Sequence, residues 1–404
     1  MQTAVKKKTG FLTPFIIKLL CILFIADFVK GALLVSILPI YLNQTLRMSA
    51  VLVGWAFALQ YIGDNLMRGP FGWAVDRWGY KKVMTAGLTA LFASVTIMLW
   101  LQSPLWILAA SFLLGFGTSP LWPSAAAGST EESGMKGAGR VLSWVYIASF
   151  VGTGTGPIVI HFFMHDAEMD LPLWILWICS ALAVPVALLL PHKTGRGGAS
   201  RQKDQASFLQ SFVAAFRQNE IGALFIPALF LFSFSQGVLT PVVTLFARED
   251  MGLSANEFSL VLMTGGAVML LLVLLAGRWV DRLGARLLLY TGIPVAAAAT
   301  FAILFISTRP QLYAAVIAVG FGYALLIPAW NAMVASIVPE EKRGAAWGAY
   351  MTVSGSGYVA GPIIAGWLWE SVGHRAPFVA SAAALAGLFV LIAFISFGKK
   401  GVIR

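Results

Sequence analysis

The side chains in this chain that could do chemistry are four charged residues placed inside long apolar stretches. Asp27 and Lys30 are three residues apart, and Asp64 and Arg68 are four apart, so each acid lies beside a base on one face of a helix. Because an ionisable group in an apolar phase is costly, such residues are functional candidates. A carboxyl there can carry a proton or bind a polar ligand. The alternative is that each pair is neutralised and only stabilises helix packing, and the spacing leaves both roles open.

The apolar stretches around these residues have the length of membrane spans. Hydrophobic residues make up 59% of the 404-residue chain and charged residues only 11%, whereas about a quarter of a soluble domain is charged. A helix needs about 20 apolar residues to cross a bilayer. The sequence predicts an all-α polytopic membrane protein with twelve transmembrane helices, near residues 13–42, 49–71, 83–101, 104–127, 139–164, 171–191, 220–247, 256–277, 286–307, 311–336, 344–369 and 375–397.

The net charge of +11 is concentrated on one side of this predicted membrane. If the N-terminus is inside, 22 of the 28 Lys and Arg residues fall in cytoplasmic segments and four in outer segments. This bias follows the positive-inside rule. It predicts a multi-pass protein of the cell membrane with both termini in the cytoplasm. The basic residues therefore indicate topology, and no nucleic-acid partner is expected.

An internal repeat relates the two parts of the chain by a shift of 205 residues. Residues 72–79 (Gly-Trp-Ala-Val-Asp-Arg-Trp-Gly) recur at 277–284 as Gly-Arg-Trp-Val-Asp-Arg-Leu-Gly. The repeat predicts two six-helix halves in parallel orientation, at residues 1–191 and 220–404. Residues 192–219 are predicted to be a cytoplasmic linker that contains an amphipathic helix on the inner leaflet.

The repeated segment resembles the signature of the major facilitator superfamily, and the resemblance extends over the whole chain. In that superfamily the signature loop latches the cytoplasmic gate, and its first glycine lets two helices approach closely. The alternative is a basic loop that only sets topology, but this would not explain the spacing of glycine and aspartate. The resemblance implies a gating role for Gly72, Asp76, Arg77, Gly79 and Lys81 and, in the repeat, for Asp281 and Arg282.

Glycine-proline pairs occur at equivalent positions of the predicted helices 5 and 11. They are Gly156-Pro157 and Gly361-Pro362, each preceded by a glycine four residues earlier. Small residues at this spacing permit close helix contact, and a proline can bend a helix. A glycine-rich stretch that ends in Gly-Pro in helix 5 is similar to that of proton-antiport exporters of the superfamily. We therefore assign these four residues to gating and expect export.

The second half has no comparable charges in its predicted helix interiors. Helices 7, 8, 10, 11 and 12 carry only neutral polar groups there, notably Gln236 and Asn331. A cavity between the halves would be charged on one wall and largely apolar on the other. Such a cavity suits an amphiphile with a polar head and an apolar tail. We expect protons, membrane lipids and an amphiphilic small molecule as partners of a monomeric protein.

Within the superfamily, residues 326–331 (Leu-Ile-Pro-Ala-Trp-Asn) and the acid and base of helix 1 resemble flippases of the lipoteichoic-acid glycolipid anchor. The resemblance implies a proton-coupled exporter or flippase that works by alternating access. It places a headgroup pocket in the first half, acyl chains against the second half, and proton coupling at Asp27 and Asp64. The candidate substrate-binding residues are Asp27, Lys30, Asp64, Trp122, Gln236, Trp330 and Asn331.

Two other classes of function compete with this interpretation. A multidrug–proton antiporter would use Asp27 to attract lipophilic cations, although Lys30 beside it offsets that attraction. A membrane-embedded enzyme needs convergent nucleophile, base or metal ligands, which the sequence does not indicate. His161, His165 and Asp166 could hold a metal at the outer face, but solvated side chains are the simpler interpretation. No nucleotide motif occurs, so neither ATP nor any other cofactor or metal is expected.

Overall fold

The computed structural model describes residues 13–101, 103–164, 169–191, 220–337 and 343–394, and these contain helices but no strands. The predicted linker helix within 192–219 lies outside the described residues. The first helix, α1, is α-helical over Pro14–Gly31 and continues through a π-helical turn (Ala32–Ile37), Leu38–Ile40 and a second π-helical turn (Tyr41–Thr45). The other helices of the first half are α2 (Ala50–Trp78), α3 (Tyr80–Trp100), α4 (Pro104–Thr118), α5 (Leu121–Phe163) and α6 (Asp170–Leu188).

The second half repeats this order. Helix α7 covers Glu220–Gly237 and continues through Val242–Leu245 and the π-helical turn Phe246–Asp250. The remaining helices are α8 (Ala255–Leu283), α9 (Ala285–Ala302, followed by a 3₁₀ turn Ile303–Phe305), α10 (Arg309–Ile337), α11 (Arg343–Ser371) and α12 (Ala376–Phe394). A helix therefore lies at each of the twelve positions that the sequence predicts.

Ten of the described helical segments are long and apolar enough to cross a membrane, and α2 and α11 are not among them. Each of these two helices has 29 residues, a length of about 43 Å. They pack along each other at the interface between the halves.

The shift of 205 residues seen in the sequence also relates the helix boundaries. Helices α2 and α8 begin after equivalent serine N-caps, Ser49 and Ser254. They end at equivalent glycines, Gly79 with φ 83° and Gly284 with φ 86°. This backbone region is open to glycine but strained for other residues, so the two glycines fix where α3 and α9 begin. The π-helical turns at the ends of α1 and α7 are equivalent as well.

Two predictions about loops are wrong. The signature segment was expected in a loop, but α2 extends to Trp78 and α8 to Leu283, so only the final glycine of each copy is non-helical. The loop expected between spans 104–127 and 139–164 is also helical, because α5 continues from Leu121 to Phe163. Polar residues end a membrane span but not a helix, since a helix can continue beyond the hydrocarbon core.

The two halves pack internally in the same way. Helix α1 packs on α5 and α2 on α4, and the matching pairs α7–α11 and α8–α10 form in the second half. Each half has its own core of buried aliphatic and aromatic side chains. Contacts between the halves involve α2 with α11, and α5 with α8. The site described below lies along this interface.

The halves touch at the end opposite the basic loops, which we call the outer end in the predicted topology. Thr244 of α7 donates a hydrogen bond of 2.6 Å to the carbonyl oxygen of Val35 in α1. The rings of His161 and Phe258 meet edge to face at 5.5 Å. At the inner end, by contrast, no described atom outside the helix lies within 4 Å of where a Cβ of Gly72 would be. The structure is therefore closed at its outer end.

Candidate substrate and proton site

The centre of the first half contains a network of one carboxylate and two cations. Lys30 of α1 donates to Asp64 Oδ2 at 2.9 Å, and Arg68 contacts the same oxygen at 3.2 Å. The Asp64 side chain is only 7% exposed, against 20% for Lys30 and 38% for Arg68. Ser119 Oγ donates to the Asp64 carbonyl oxygen at 2.7 Å. Asp64 is thus the most enclosed member and the centre of the network.

The pairing of Lys30 differs from the prediction. The spacing placed Lys30 beside Asp27 of its own helix, whereas the structure joins it to Asp64 of α2. A lysine side chain is long enough to reach a neighbouring helix. A carboxylate that is buried between α1 and α2 is stabilised more by a cation than a partly exposed carboxylate is. Asp27 instead accepts a hydrogen bond from Ser149 of α5 and stays within the electric field of Lys30.

Close helix contacts position these side chains. Gly152 lies against the backbone of Phe24 and Phe28, so α5 approaches α1 within one turn of Ser149 and Asp27. Gly115 lies against the backbone of α2, and a Cβ there would be 2.7 Å from the Asp64 nitrogen. Small residues allow such approaches between helices in a membrane. The glycines of α4 and α5 therefore set the geometry of the charged network.

Trp122 lies in the first turn of α5 and is partly buried. Its ring centroid is 4.3 Å from that of Tyr146, which is 60% exposed. Trp144 of the same helix is 46% exposed. These rings give the first half an aromatic surface, on which the apolar face of a sugar ring could stack.

The second half contains an apolar cavity of about 440 Å³. Gln236 and Thr240 of α7 line it, and its other walls are mostly aliphatic and aromatic side chains of α7, α8 and α10. Gln236 Nε2 donates to the Phe232 carbonyl oxygen at 3.3 Å. Val35 of α1 also lines the cavity, so the cavity reaches the first half.

Trp330 and Asn331 are adjacent in α10 but have different surroundings. Trp330 is 1% exposed, and its ring stacks on that of Phe232 at 4.5 Å. It therefore belongs to the core of the second half and does not line the apolar cavity in this conformation. Asn331 is exposed. The sequence analysis predicts substrate binding for both residues, but adjacent residues on a helix point about 100° apart.

Tyr61 of α2 lies on the border between the charged network and the apolar cavity. It is one turn before Asp64, and its hydroxyl forms a hydrogen bond with Thr240. Its ring stacks on Tyr358 of α11 with a centroid distance of 5.3 Å. The polar and apolar regions are therefore neighbours, joined by side chains from both halves.

The signature residues lie at the inner ends of α2 and α8. Asp76, Arg77, Asp281 and Arg282 are all exposed. The Arg77 guanidinium lies over the Trp73 ring, 5.2 Å from its centroid. The close helix approach predicted for Gly72 does not occur in this conformation, because the inner ends of the halves are apart. Lys81 follows in the first turn of α3 and is partly buried.

The glycine-proline pairs do make close contacts. Gly156 lies against the backbone of Phe28 and Ala32 in α1, and Gly361 lies against Gly237 and Val238 in α7. The two contacts are equivalent by the internal repeat. Pro157 accepts a long hydrogen bond from Ser36 Oγ, at 3.4 Å, and the Pro362 carbonyl group lies against Gly54 of α2. Pro157 thus joins helices of one half, and Pro362 joins the two halves.

A comparison with family models decides the broad class. The model of the Major Facilitator Superfamily matches residues 19–236 and 225–402. The chain belongs to this superfamily.

Known members of the superfamily include relatives of the whole chain. The proton-coupled antiporter flippase LtaA of Staphylococcus saprophyticus is 26% identical over 395 residues, which cover 95% of each chain. LtaA of Staphylococcus aureus strain USA300 is 22% identical over 360 residues, 87% of this chain and 86% of the relative.

Solved superfamily structures have the same fold. The nucleoside transporter NupG has a TM-score of 0.79 at 18% identity, with 96% of this chain and 100% of NupG covered. The inward-open xylose transporter XylE of E. coli has a TM-score of 0.72 at 14% identity, with 95% of this chain and 97% of XylE covered. The likeness confirms the predicted helical transporter fold.

Three residues of this superfamily member were missed by the sequence reasoning: Ser119, Ser149 and Tyr61. Tyr61 was detectable, because it lies three residues before Asp64 and so on the same helix face. Ser149 lies three residues before Gly152, which marks the contact with α1. Nothing in the spacing singles out Ser119, since its role depends on how α4 packs on α2.

The outer-face histidine is another correction. His161 was interpreted as solvated, but it is fully buried, and neither ring nitrogen has a hydrogen-bond partner among the described residues. It packs between α5 and α8, where Phe258 covers it. His165 and Asp166 lie outside the described residues. No group of three His, Cys, Asp or Glu side chains in the described part of the chain is arranged to hold a metal.

Proposed function

We propose that the protein is a proton-coupled flippase that moves a glycolipid across the cell membrane by alternating access. The observation that carries this proposal is the division of the interface. Charged side chains gather in the first half, around Asp64, while the second half encloses an apolar cavity of about 440 Å³. The names of the staphylococcal relatives, which are proton-coupled antiporter flippases, support the same function.

The internal repeat supports the division of roles. At the positions 205 residues after Asp27, Lys30, Asp64 and Arg68, the chain has Phe232, Ser235, Met269 and Val273. The scaffold is repeated, but the charges are not. A headgroup would bind in the first half and an acyl chain in the second, so that each part of the lipid meets a surface of its own polarity.

In the first half we assign headgroup binding to Lys30, Asp64 and Trp122. Carboxylate and ammonium groups can accept from and donate to sugar hydroxyls, and Trp122 with its neighbour Tyr146 offers a ring surface for a pyranose. On the second half, Gln236 lies at the cavity wall and Asn331 is exposed, which suits weaker polar contacts. We leave Trp330 out of this set because it is enclosed in the core.

We assign the proton to Asp27 and a counter-ion role to Asp64. Asp64 is held by two cations, so its protonation would remove the negative charge that both of them contact. Among the described residues, Asp27 has the Ser149 hydroxyl as its hydrogen-bond partner and forms no ion pair, so it can change charge at smaller cost. Protonation of Asp27 would remove one negative charge next to Lys30 and so change how firmly Lys30 holds an anionic or hydroxylated ligand.

The gating residues would act at the two ends of the interface. When the inner ends close, Gly72 would meet the opposite half, and Asp76, Arg77 and Lys81 would hold that contact, with Asp281 and Arg282 equivalent in the repeat. Gly156-Pro157 and Gly361-Pro362 would keep α5 on α1 and α11 on α7 during the movement. The proposal places both termini in the cytoplasm and divides the chain into halves at 1–191 and 220–404.

A multidrug–proton antiporter that exports lipophilic compounds is a second candidate. The observation that favours it is the combination of an apolar cavity with a carboxyl, Asp27, whose direct partner is a neutral hydroxyl. Since Lys30 is bound to Asp64, it compensates Asp27 less than the sequence suggests. A lipophilic cation could then occupy the cavity and approach Asp27.

The test is transport by purified protein in proteoliposomes. Flipping of a fluorescent diacyl glycolipid is measured with and without an imposed proton gradient, and a lipophilic cation serves as the alternative cargo. Asp27→Asn is compared with Asp170→Asn, a matched change of an exposed acid at the outer end of α6.

We expect gradient-dependent flipping in the parent and in Asp170→Asn, and its loss in Asp27→Asn. If the protein transports the cation and does not flip the lipid, the flippase proposal is wrong and the drug antiporter is the function. Unchanged coupling in Asp27→Asn would remove Asp27 from the proton pathway.

A further inference from the structure

The outer N-termini of α2 and α8 are equivalent in the repeat but are capped differently. In α8, Ser254 Oγ accepts from the Glu257 nitrogen at 3.3 Å, and Glu257 Oε2 accepts from the Ser254 nitrogen at 2.9 Å, which completes a capping box. In α2, Ser49 makes the equivalent bond with the Leu52 nitrogen, at 3.3 Å. Leu52 stands where α8 has Glu257, so α2 has no carboxylate of its own at this position.

The other half of the molecule supplies the missing carboxylate. Glu370, in the last turn of α11, accepts a hydrogen bond from the Val51 nitrogen with its Oε1 at 3.3 Å. One turn earlier, Gly366 lies directly against the backbone of Ala50 and Val51. A carboxylate at a helix N-terminus is stabilised by the unpaired N–H groups and the helix dipole. Ser49 caps α2 in every conformation, but the carboxylate part of this cap exists only while α2 and α11 touch at their outer ends.

We propose that Glu370 is the outer latch of the transporter: it caps α2 across the interface and thereby stabilises the conformation that is closed at the outer end. When the halves part there, α2 loses its carboxylate, whereas α8 keeps its own. The contact of Glu370 with α2 depends on the conformation because it crosses the interface, and α2 has no acid at position 52 that could replace it. This inference rests on alternating access alone and does not depend on the identity of the cargo.

The experiment measures the separation of the outer ends without any substrate. Spin labels are attached at Leu105→Cys and Phe305→Cys, which are 74% and 69% exposed near the outer ends of the two halves, in a Cys21→Ser, Cys179→Ser background. Distances in nanodiscs are measured by double electron–electron resonance. Glu370→Gln is compared with Glu257→Gln, which removes the equivalent carboxylate from a cap within one half.

Glu370→Gln should raise the fraction of molecules with widely separated outer ends by about two- to fivefold, the range expected for one charge at a helix N-terminus. Glu257→Gln should leave that fraction unchanged. Identical distance distributions in the parent and Glu370→Gln, or equal widening in Glu257→Gln, would overturn the proposal.

A second variant tests the latch with Glu370 in place. Leu52→Glu gives α2 a capping box of its own and sets a like charge beside Glu370, so it should also widen the outer ends. If Glu370→Gln cannot be purified in folded form, this variant carries the test, and an unchanged distance in Leu52→Glu then rejects the latch. Because no glycolipid cargo and no proton gradient are needed, the outcome is separate from that of the flippase assay.

Discussion

At the scale of residues, the two acids of the first half have different surroundings and so different roles. Asp64 is almost enclosed and has two cationic partners, whereas Asp27 is bound by a hydroxyl. An ion pair buried from water is costly to break, because the remaining partner keeps an uncompensated charge. Asp64 is therefore expected to matter for stability and Asp27 for coupling.

The stability difference can be measured by thermal unfolding in detergent. Asp64→Asn leaves Lys30 and Arg68 without their carboxylate and should lower the free energy of unfolding by about 1–3 kcal/mol. Asp27→Asn should lower it less, since an amide can still accept from Ser149. An Asp64→Asn protein as stable as the parent would show that the network contributes nothing measurable to folding.

The identities of the charged residues could be predicted from the sequence, but their pairing could not. The four charged residues stand out because charge inside an apolar span is rare. They are Asp27, Lys30, Asp64 and Arg68. Spacing along one helix then assigned Lys30 to Asp27. The observed partner, Asp64, belongs to another helix, and contacts between helices depend on packing that a single sequence does not contain.

At the scale of elements, α5 and α1 are held together by glycines. Gly152 and Gly156 lie against the α1 backbone, while Gly154, between them on the helix, has no described atom of another helix within 4 Å of its Cβ position. The face of α5 with Gly152 and Gly156 therefore needs small residues to contact α1, whereas the face with Gly154 has room for a larger side chain. This contact brings Ser149 to Asp27, so it supports the site as well as the fold.

The pair Gly152→Ala and Gly154→Ala tests the contact. A Cβ at Gly152 would collide with the α1 backbone, so Gly152→Ala should destabilise the protein by about 1–3 kcal/mol. Gly154→Ala should be neutral or slightly stabilising, because alanine favours a helix. Both are read from the midpoint of thermal unfolding. Similar losses in the two variants would mean that glycine flexibility, and not close contact, is what α5 needs.

The helices themselves were predictable because each apolar run has the length of a span. The turns at their ends were less so. The segment from Gly72 to Trp78 resembles the signature loop of the superfamily, which suggested a loop, yet the chain stays helical until Gly79 permits a positive φ. Hydropathy indicates where the lipid ends, and only turn chemistry indicates where the helix ends.

At the scale of the whole molecule, one scaffold is used twice with different side chains. The shift of 205 residues preserves helix ends, N-cap serines and glycine contacts, but places uncharged residues where the first half is charged. The division of the cavity is therefore a property of the side chains and not of the fold. Substitutions in the apolar cavity should therefore affect the binding of the acyl chain, and substitutions in the charged network that of the headgroup.

Filling the apolar cavity should impair long acyl chains selectively. Val319 lines the cavity, and Val319→Phe should lower the flipping rate of a long-chain glycolipid by about tenfold, equivalent to 1.4 kcal/mol, and that of a short-chain analogue less. Ile317→Phe on the same helix, at a side chain that is 43% exposed, is the control and should change neither rate. Equal loss for both chain lengths in Val319→Phe would argue that the cavity does not hold the acyl chain.

Charging the same wall gives a complementary test. Gln236→Lys places a cation beside the apolar cavity, where an acyl chain would have to displace its water. Flipping of a diacyl lipid should fall strongly, whereas transport of a small hydrophilic probe should fall little. Both rates are measured in the same proteoliposomes. A parallel decline of the two would contradict a divided cavity.

The composition of α2 and α11 has a consequence for biogenesis. Neither is among the ten described segments that are apolar enough to enter a bilayer alone. Helix α2 also carries Arg68 and, near its centre, Asp64, where a charged residue opposes insertion by about 3 kcal/mol. Because α2 is synthesised long before α11, its polar face has no partner in the second half during most of translation. Neighbouring helices or the insertion machinery must therefore hold α2 across the membrane until the last helices emerge from the ribosome.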